Sequence, residues 1–315
     1  MIAFGPITSG RLGKCLGINN LPSKICTYSC SHCRVGKIKS KKCQRSVYLN
    51  PQDIFADLQD LIIKTKENND KIDFLTIIPA GEPTLDQNLG RIFDLVRFFN
   101  IKLAVITNGS LLYNDETRAD LCKADWVSIK IDSVDEGVWQ KLNNPHHQLN
   151  LRRIMQGQLR FADEFNGSLN TETMLVEGIN TGTACVEQTA EFIARLNPAV
   201  SYISAPIGSP ASGRIVPPTE ETVNRVFQNF NRRIKNVEYL LDYNDGGFDK
   251  TGRVEEDLLN LLAVQPMRID ALIRFLQETH SDWRVVDKLI ARKQIINIPY
   301  EGHQFYMRRF SGLSS

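Results

Sequence analysis

Apolar residues recur along this chain with two periods. Short unbroken runs alternate with stretches in which apolar positions return every three or four residues. The run Phe74-Leu75-Thr76-Ile77-Ile78 predicts a buried strand behind an amphipathic helix over residues 51–68. Residues 103–107 predict a second strand, after a helix carrying Ile92, Leu95, Val96 and Phe99. Residues 126–131 predict a third, after a helix at 115–123; residues 173–176 a fourth; and residues 202–205 a fifth, after a helix at 185–196. Strands separated by helices imply βα units and a parallel sheet, so the fold class is α/β. Several strands run into polar or Gly/Pro turns: Ala80-Gly81-Glu82-Pro83, Asn108-Gly109 and Ser204-Ala205-Pro206. In parallel α/β folds the C-terminal ends of strands are where chemistry is sited.

After Pro217-Pro218 the pattern changes. Thr219 predicts the cap of a helix running to about residue 237, with Glu220 and Glu221 favourable in its first turn. Residues 242–252 are polar and read as a linker. Three helical stretches follow at 254–264, 268–278 and 282–292, the last capped by Ser281. A hairpin ends the chain, with strands at 295–298 and 304–307 around Glu301-Gly302. Three helices and a hairpin make the winged form of the helix-turn-helix. The expected boundaries are therefore an α/β domain at 1–217, a helical linker at 218–250 and a winged-helix-like domain at 251–315.

Composition narrows the class. The 315 residues are enough to bury a core without disulfides. Lys and Arg number 38 against 36 Asp and Glu, which excludes a histone-like or acidic-tail protein. No apolar run approaches the ~20 residues of a membrane span. The opening MIAFGPITSG lacks the basic and apolar regions of a secretory signal, so a cytoplasmic location with reduced thiols and no membrane partner is expected. Seven cysteines stand at 15, 26, 30, 33, 43, 122 and 185. The clustering of Cys26, Cys30 and Cys33 points to metal or redox chemistry rather than a disulfide framework.

Cys26-Thr27-Tyr28-Ser29-Cys30-Ser31-His32-Cys33 spaces the thiols as C-x3-C-x2-C. Thiolates favour zinc and iron–sulfur clusters. A structural zinc site and a fully protein-ligated cubane both want four ligands. The fourth is missing locally, and His32, lying between two of the cysteines, is badly placed to close the same centre. An open position is the mark of a catalytic site. The other reading is a zinc knuckle completed by Cys43 or Cys15.

These residues carry a resemblance. The cysteine loop, followed by a strand ending Gly81-Glu82-Pro83, resembles the radical S-adenosylmethionine (radical SAM) superfamily. Gly5-Pro6, Arg11-Leu12-Gly13, Leu16-Gly17-Ile18-Asn19-Asn20 and Lys24-Ile25-Cys26-Thr27-Tyr28 resemble its iron–sulfur oxidoreductase group related to the wyosine tRNA-modifying synthases. Gly81-Glu82-Pro83-Thr84-Leu85, Thr107-Asn108-Gly109 and Gly178-Ile179-Asn180 are similar to the same group. The likeness covers most of residues 1–220. It implies a partial (β/α)6 TIM-like barrel, with the winged end as a separate C-terminal domain.

The resemblance also implies a chemistry. Cys26, Cys30 and Cys33 would hold three irons of a [4Fe-4S] cluster, and the fourth iron would take the amino and carboxylate groups of S-adenosyl-L-methionine. One electron would cleave the cofactor to methionine and a 5′-deoxyadenosyl radical, which abstracts hydrogen from a substrate. The cofactor carries the hard chemistry and the protein positions and shields it. Gly81, Glu82 and Pro83 would meet the methionine ammonium, and His32 would lie beside the adenine. Asn108, Ser128 and Lys130 would contact ribose and carboxylate, with Met174 on the adenine side. No catalytic side chain is named by this resemblance.

Bland alternatives stand beside these roles. Glu82 also suits a solvated turn, Asn108-Gly109 an ordinary turn, and Lys130 with Asp132 a structural ion pair at a barrel rim. Met174 suits the core, and His146-His147 suit a surface loop better than a metal site. Two features depart from the group. An Arg-Pro-Pro run common after the last strand is replaced by Ile207-Gly208-Ser209-Pro210-Ala211, and only Cys15 precedes the loop, which argues against the second cluster of the wyosine synthases. Cys15, Cys43, Cys122 and Cys185 read as ordinary thiols, with Cys43 open to a redox step.

Between Arg34 and Arg45 lie Lys37, Lys39, Lys41 and Lys42 with no acidic residue. Such a loop suits RNA phosphates, tRNA included, a one-electron donor of the flavodoxin or ferredoxin type, or plain solvent. The winged end offers Trp283, Arg284, Lys288, Arg292 and Lys293 on its third helix but little net charge, so DNA is not the expected partner. The expected activity is a radical SAM enzyme. Its alternatives are a tRNA-base modifier and, in another class, an iron–sulfur-sensing DNA-binding regulator.

Overall fold

The computed structural model describes residues 2–22, 24–33, 36, 38, 41–68, 70–206, 215–240, 253–264, 267–300 and 303–308. The polar linker at 242–252, the Ile207–Ala211 departure, the Glu301-Gly302 turn, and Arg34, Lys37 and Lys39 of the basic loop lie outside the described residues.

The chain opens with an antiparallel hairpin of β1 (Ala3–Ser9) and β2 (Gly13–Ile18). There follow α1 (Pro51–Glu67), β3 (Phe74–Ile77), α2 (Leu89–Val96), β4 (Lys102–Thr107), α3 (Asp115–Leu121) and β5 (Trp126–Lys130). Next come α4 (Glu136–Asn143), α5 (Leu151–Glu164), β6 (Ser168–Met174), α6 (Thr183–Leu196), β7 (Val200–Ser204), α7 (Glu220–Asn231) and β8 (Val237–Leu240). The eight strands form one sheet in chain order, and every neighbour from β2 to β8 is parallel. This is the mixed α/β, partial TIM-like arrangement expected.

Alternation along the strands builds two layers. Leu75, Ile77, Leu103, Val105, Val127, Ile129, Leu169 and Ile203 face the helices and join Leu58, Ile62, Phe93, Phe161 and Ile193 in the main core. The alternate positions mix small or polar residues (Thr76, Ala104, Ser128, Asn170, Glu172) with Phe74, Ile106, Trp126 and Tyr202. Arg11, on the β1–β2 turn, reaches this side. Its guanidinium pairs with Glu172 at 2.9 Å and lies over the rings of Trp126 (5.8 Å) and Tyr202 (5.5 Å). Lys130 Nζ stands 3.4 Å from the other Glu172 oxygen.

The polar inner face explains where sequence and structure differ. The fourth strand is Ser168–Met174, several residues earlier than the apolar run at 173–176, because Asn170 and Glu172 interrupt its hydrophobicity. The hairpin of β1 and β2 carries glycines and a lysine and has no apolar run to reveal it. The helix after Thr219 ends at Asn231, and Val237–Leu240 is a strand rather than its last turn. Thr219 does cap it, its Oγ1 accepting from Thr222 N at 3.2 Å.

The C-terminal part contains α8 (Val254–Val264), β9 (Met267–Arg268), α9 (Ile269–Glu278), α10 (Arg284–Ala291), β10 (Ile295–Tyr300) and β11 (His303–Arg308). Its antiparallel sheet has the order β10-β11-β9. Asp282, not Ser281, accepts from the start of α10, through Arg284 N at 2.9 Å. Leu258, Leu261, Leu262, Leu272 and Phe275 share one buried cluster with Phe4, Ile7, Leu12, Cys15, Trp126 and Tyr202, so this part packs directly on the hairpin and the near ends of the barrel strands. Among the described residues no helix is long and apolar enough to cross a membrane.

Candidate functional site

The cysteine loop follows β2 and lies over the C-terminal ends of β3, β4 and β5. Three attachments hold it. First, Ile25 bridges to Gly81, and Glu82 N donates to Ile25 O at 3.0 Å. The backbones approach so closely that a Cβ on Gly81 would stand 2.0 Å from Ile25 O, which excludes any other residue there. Second, Thr27 Oγ1 is bonded by Asn108 Nδ2 and by Ser110 Oγ, both at 2.8 Å, from the end of β4. Third, the end of α4 receives Ser31 N on Leu142 O (2.8 Å) and Ser29 N on Asn143 O (3.1 Å).

Glu82 is not a solvated turn residue. It is buried, and its carboxylate accepts from Thr84 N (3.1 Å), Thr84 Oγ1 (2.6 Å), Thr107 Oγ1 (2.5 Å) and Asn108 N (2.8 Å). Burial raises its pKa, and the donors from Thr107, Thr84 and Asn108 oppose that rise. The carboxylate therefore ties the β3 turn to the end of β4. Pro83, buried beside it, offers its carbonyl to Asn20 Nδ2 at 3.0 Å.

Asp86 continues this turn. It accepts from Asn88 N at 2.9 Å and from Asn20 Nδ2 at 3.4 Å, and burial pushes its pKa up to about 6. A raised carboxyl pKa favours folding in acid, and that advantage disappears as pH rises from the ordinary value of 3.8 to about 6. Replacing Asp86 with Asn removes the ionisation. The variant's stability relative to the parent is expected to be up to about 3 kcal/mol more favourable at pH 8 than at pH 4. Urea denaturation at the two pH values measures this, and an equal difference at both refutes it.

The three thiols of the loop interact. Cys26 is pushed up to about 12, first by burial, then by Glu82 and Cys33. Cys30 rises well above the usual thiol range, first by burial, then through Cys33 and Cys26. N–H donors meet two of the sulfurs: Tyr28 N stands 3.4 Å from Cys26 Sγ, Asn143 Nδ2 is 3.5 Å from Cys30 Sγ, and Asn108 Nδ2 lies 3.7 Å from Cys26 Sγ. Cys26 and Cys30, half-buried, pack against an apolar roof of Leu21, Tyr28, Leu85, Leu111, Trp139, Leu149, Leu151 and Ile154, with the Tyr28 hydroxyl taking a 3.2 Å bond from Trp139 Nε1. Among the described residues no three His, Cys, Asp or Glu side chains form a group that could hold one metal ion. Cys15 sits apart in the cluster with the C-terminal helices, so it does not complete a knuckle. Cys43 lies under the same roof, its Sγ donating to Gln148 Oε1 at 2.9 Å.

Other expected positions spread around this loop. His32 is buried with Nε2 3.5 Å from Asp132 Oδ2. Asp132 also accepts from Asn143 Nδ2 (2.7 Å) and Met174 N (3.0 Å). The expected Lys130–Asp132 pair is replaced: Lys130 pairs with Glu172, and Asp132 serves the cysteine loop and Met174. Met174 is buried at the end of β6, its Sδ 3.6 Å from Ser204 Oγ. Ser128 is fully buried one pleat below Lys130, and its Oγ has no hydrogen-bond partner among the described residues. His146 and His147 stack at 4.3 Å, and His146 N donates to Thr27 O at 2.8 Å.

Sequence reading missed Thr27, Ser110, Asp132 and Asn143 as site residues. Asn143 was hidden because α4 was not recognised, although Asp135 is its cap and Val138, Trp139 and Leu142 give it an apolar face. Of the basic loop, Lys41 Nζ bonds Asn144 O and Pro145 O at 3.1 and 2.9 Å, Lys42 lies over Tyr48, and Arg45 bonds Thr84 O, Asp86 O and Asp120.

Residues 20–193 match the radical SAM superfamily. A UPF0026 protein of Methanocaldococcus jannaschii is 40% identical over 309 residues, covering 98% of this chain and 96% of that one. The fold is similar to that of a radical SAM methyltransferase from Sphaerobacter thermophilus, with TM-score 0.56 and 17% identity over 73% of this chain and 67% of that one. It is also similar to TYW1 with a lysine–pyruvate adduct bound, with TM-score 0.52 and 16% identity over 70% of this chain and 74% of that one. The cysteine loop over the strand ends and the near full-length UPF0026 relative lead to one conclusion: this chain belongs to the radical SAM superfamily.

Proposed function

We propose that the chain is a radical enzyme that holds a [4Fe-4S] cluster on Cys26, Cys30 and Cys33 and binds S-adenosyl-L-methionine beside it. The observation that carries this reading is the set of three half-buried thiols that one loop holds at the ends of the barrel strands, with N–H donors on the sulfurs of Cys26 and Cys30. Such a donor set is stabilised by a cationic centre that takes the thiolates and releases their protons. A cubane gives each thiolate its own iron, so it does not need three side chains to converge on one ion. When bound, the cluster supplies one electron that cleaves the cofactor to methionine and a 5′-deoxyadenosyl radical able to abstract hydrogen.

The protein's part is to bind, orient and exclude water. The Gly81 and Pro83 backbone, braced by Glu82, supplies polar groups for the methionine ammonium, and His32, set by Asp132, provides a face for the adenine. Asn108 fixes the cysteine loop against β4 and would contact the ribose. Met174 closes the adenine side, Lys130 offers a cation to a carboxylate, and Ser128 lies below it. A one-electron donor of the flavodoxin or ferredoxin type reduces the cluster.

The C-terminal helices and sheet form a winged-helix-like unit in this reading. Lys288 of α10 and Arg292, which caps its C-terminus, both bond Glu255, and Arg284 bonds Asp282, so these cations are engaged within the unit. Its apolar packing on the barrel favours a bracing role over a DNA reader. The described cations of the basic loop, Lys41, Lys42 and Arg45, are likewise engaged internally.

The test is direct. Protein reconstituted without oxygen with iron and sulfide, then reduced with dithionite, is expected to convert S-adenosyl-L-methionine to 5′-deoxyadenosine. Its reduced EPR signal is expected to change when the cofactor is added. A colourless protein that holds only zinc and forms no 5′-deoxyadenosine refutes the proposal.

A further inference from the structure

α4 delivers more than backbone contacts to the cysteine loop. Its last residue, Asn143, is buried, and its Nδ2 stands 2.7 Å from Asp132 Oδ2 and 3.5 Å from Cys30 Sγ. A carboxylate only accepts hydrogen bonds, so the amide atom facing Asp132 must be the nitrogen. That nitrogen carries two hydrogens, one for Asp132 and one for the sulfur. Asp132 is itself held at Oδ1 by Met174 N at 3.0 Å, which keeps the amide from turning. The donors on Cys26 differ: one is a backbone amide at 3.4 Å and the other a side chain at 3.7 Å, within reach of Thr27 as well.

We propose that Asn143 is a positioning residue whose side-chain N–H donates to the Cys30 thiolate and raises the reduction potential of the cluster. The proposal rests on the assignment of a cluster to Cys26, Cys30 and Cys33. Reduction adds negative charge that the ligating sulfurs share. A donor on a sulfur stabilises the reduced form, and hydrogen bonding to the sulfurs is one of the levers that set cluster potentials. On the side where Cys30 packs against the apolar roof the local dielectric is low, so one fixed donor weighs more.

The experiment is an EPR-monitored redox titration of reconstituted protein without S-adenosyl-L-methionine. Asn143→Leu keeps the side-chain shape and removes the donor. Its midpoint is expected to fall by about 59 mV, a tenfold change in the one-electron equilibrium. Asn143→Ser, which is too short to reach the sulfur, is expected to fall in the same direction. Ser110→Ala removes the bond to Thr27 and so loosens the same loop without changing charge or touching a thiolate, and its midpoint is expected to match the parent. A fully loaded Asn143→Leu or Asn143→Ser protein with the parent's midpoint overturns the proposal, as does an equal fall in Ser110→Ala. If neither Asn143 variant loads, pulsed EPR of the reduced parent grown with 15N-asparagine decides. Coupling to a side-chain amide nitrogen supports the donor, and its absence overturns it. A parent that forms no cluster refutes the functional assignment instead, so the two failures are distinct.

Discussion

The Cys30→Ala protein, reconstituted and reduced as above, is expected to hold no [4Fe-4S] cluster and to give no 5′-deoxyadenosine above the level without enzyme. Cys30 is a half-buried thiol whose ionisation is opposed first by desolvation and then by Cys33 and Cys26. A metal centre reverses that opposition, and removing one of three ligands leaves two irons of the cubane without protein support. No substitute stands ready. Cys15 is on the far side of the barrel strands, among the C-terminal helices, and Cys43 is bonded to Gln148. Without metal, the variant's stability is expected to stay within about 1 kcal/mol of the parent, since one small half-buried side chain is shortened. Iron and sulfide content, visible absorption and product formation measure the loss; 5′-deoxyadenosine persisting at the parent's rate excludes Cys30 as a ligand.

Glu82→Ala is expected to destabilise the protein by about 3 kcal/mol or more, whether or not metal is present. Four donors converge on this buried carboxylate. Truncation leaves two backbone N–H groups and two hydroxyls without acceptors in a dry place, and bonds to charged groups are the stronger ones. Glu82→Gln keeps the shape and one acceptor, so about half of that loss is expected. Chemical denaturation of the metal-free proteins separates this bracing role from any contact with the cofactor. An alanine variant as stable as the parent refutes the bracing role.

Much of the site was legible because its chemistry is local in sequence. The cysteine spacing, the Gly81-Glu82-Pro83 turn and the polar ends of β4 and β5 each lie within a few consecutive residues. Periodicity located the strands whose helix-facing positions are apolar, such as Phe74–Ile77 and Lys102–Thr107. It misplaced β6, where Asn170 and Glu172 face inward, because the pattern that marks a strand is interrupted where the barrel needs polar groups. The partners that complete the site were not legible at all. Asp132 meeting His32 and Asn143, or Glu172 taking Arg11 rather than Asp132 taking Lys130, depends on which chain segments the fold brings together.

The attachment of the cysteine loop to α4 has a consequence for assembly. The bonds from Ser31 to Leu142 and from Asn143 to Cys30 join positions more than a hundred residues apart. Closing so long a loop is entropically costly until the intervening strands have paired. A nascent chain that has emerged only through its cysteines therefore presents three thiols without their cradle. On the proposed cluster assignment, iron delivery would belong after β5 and α4 have docked, because an earlier supply would meet an open, oxidation-prone segment instead of a receptor.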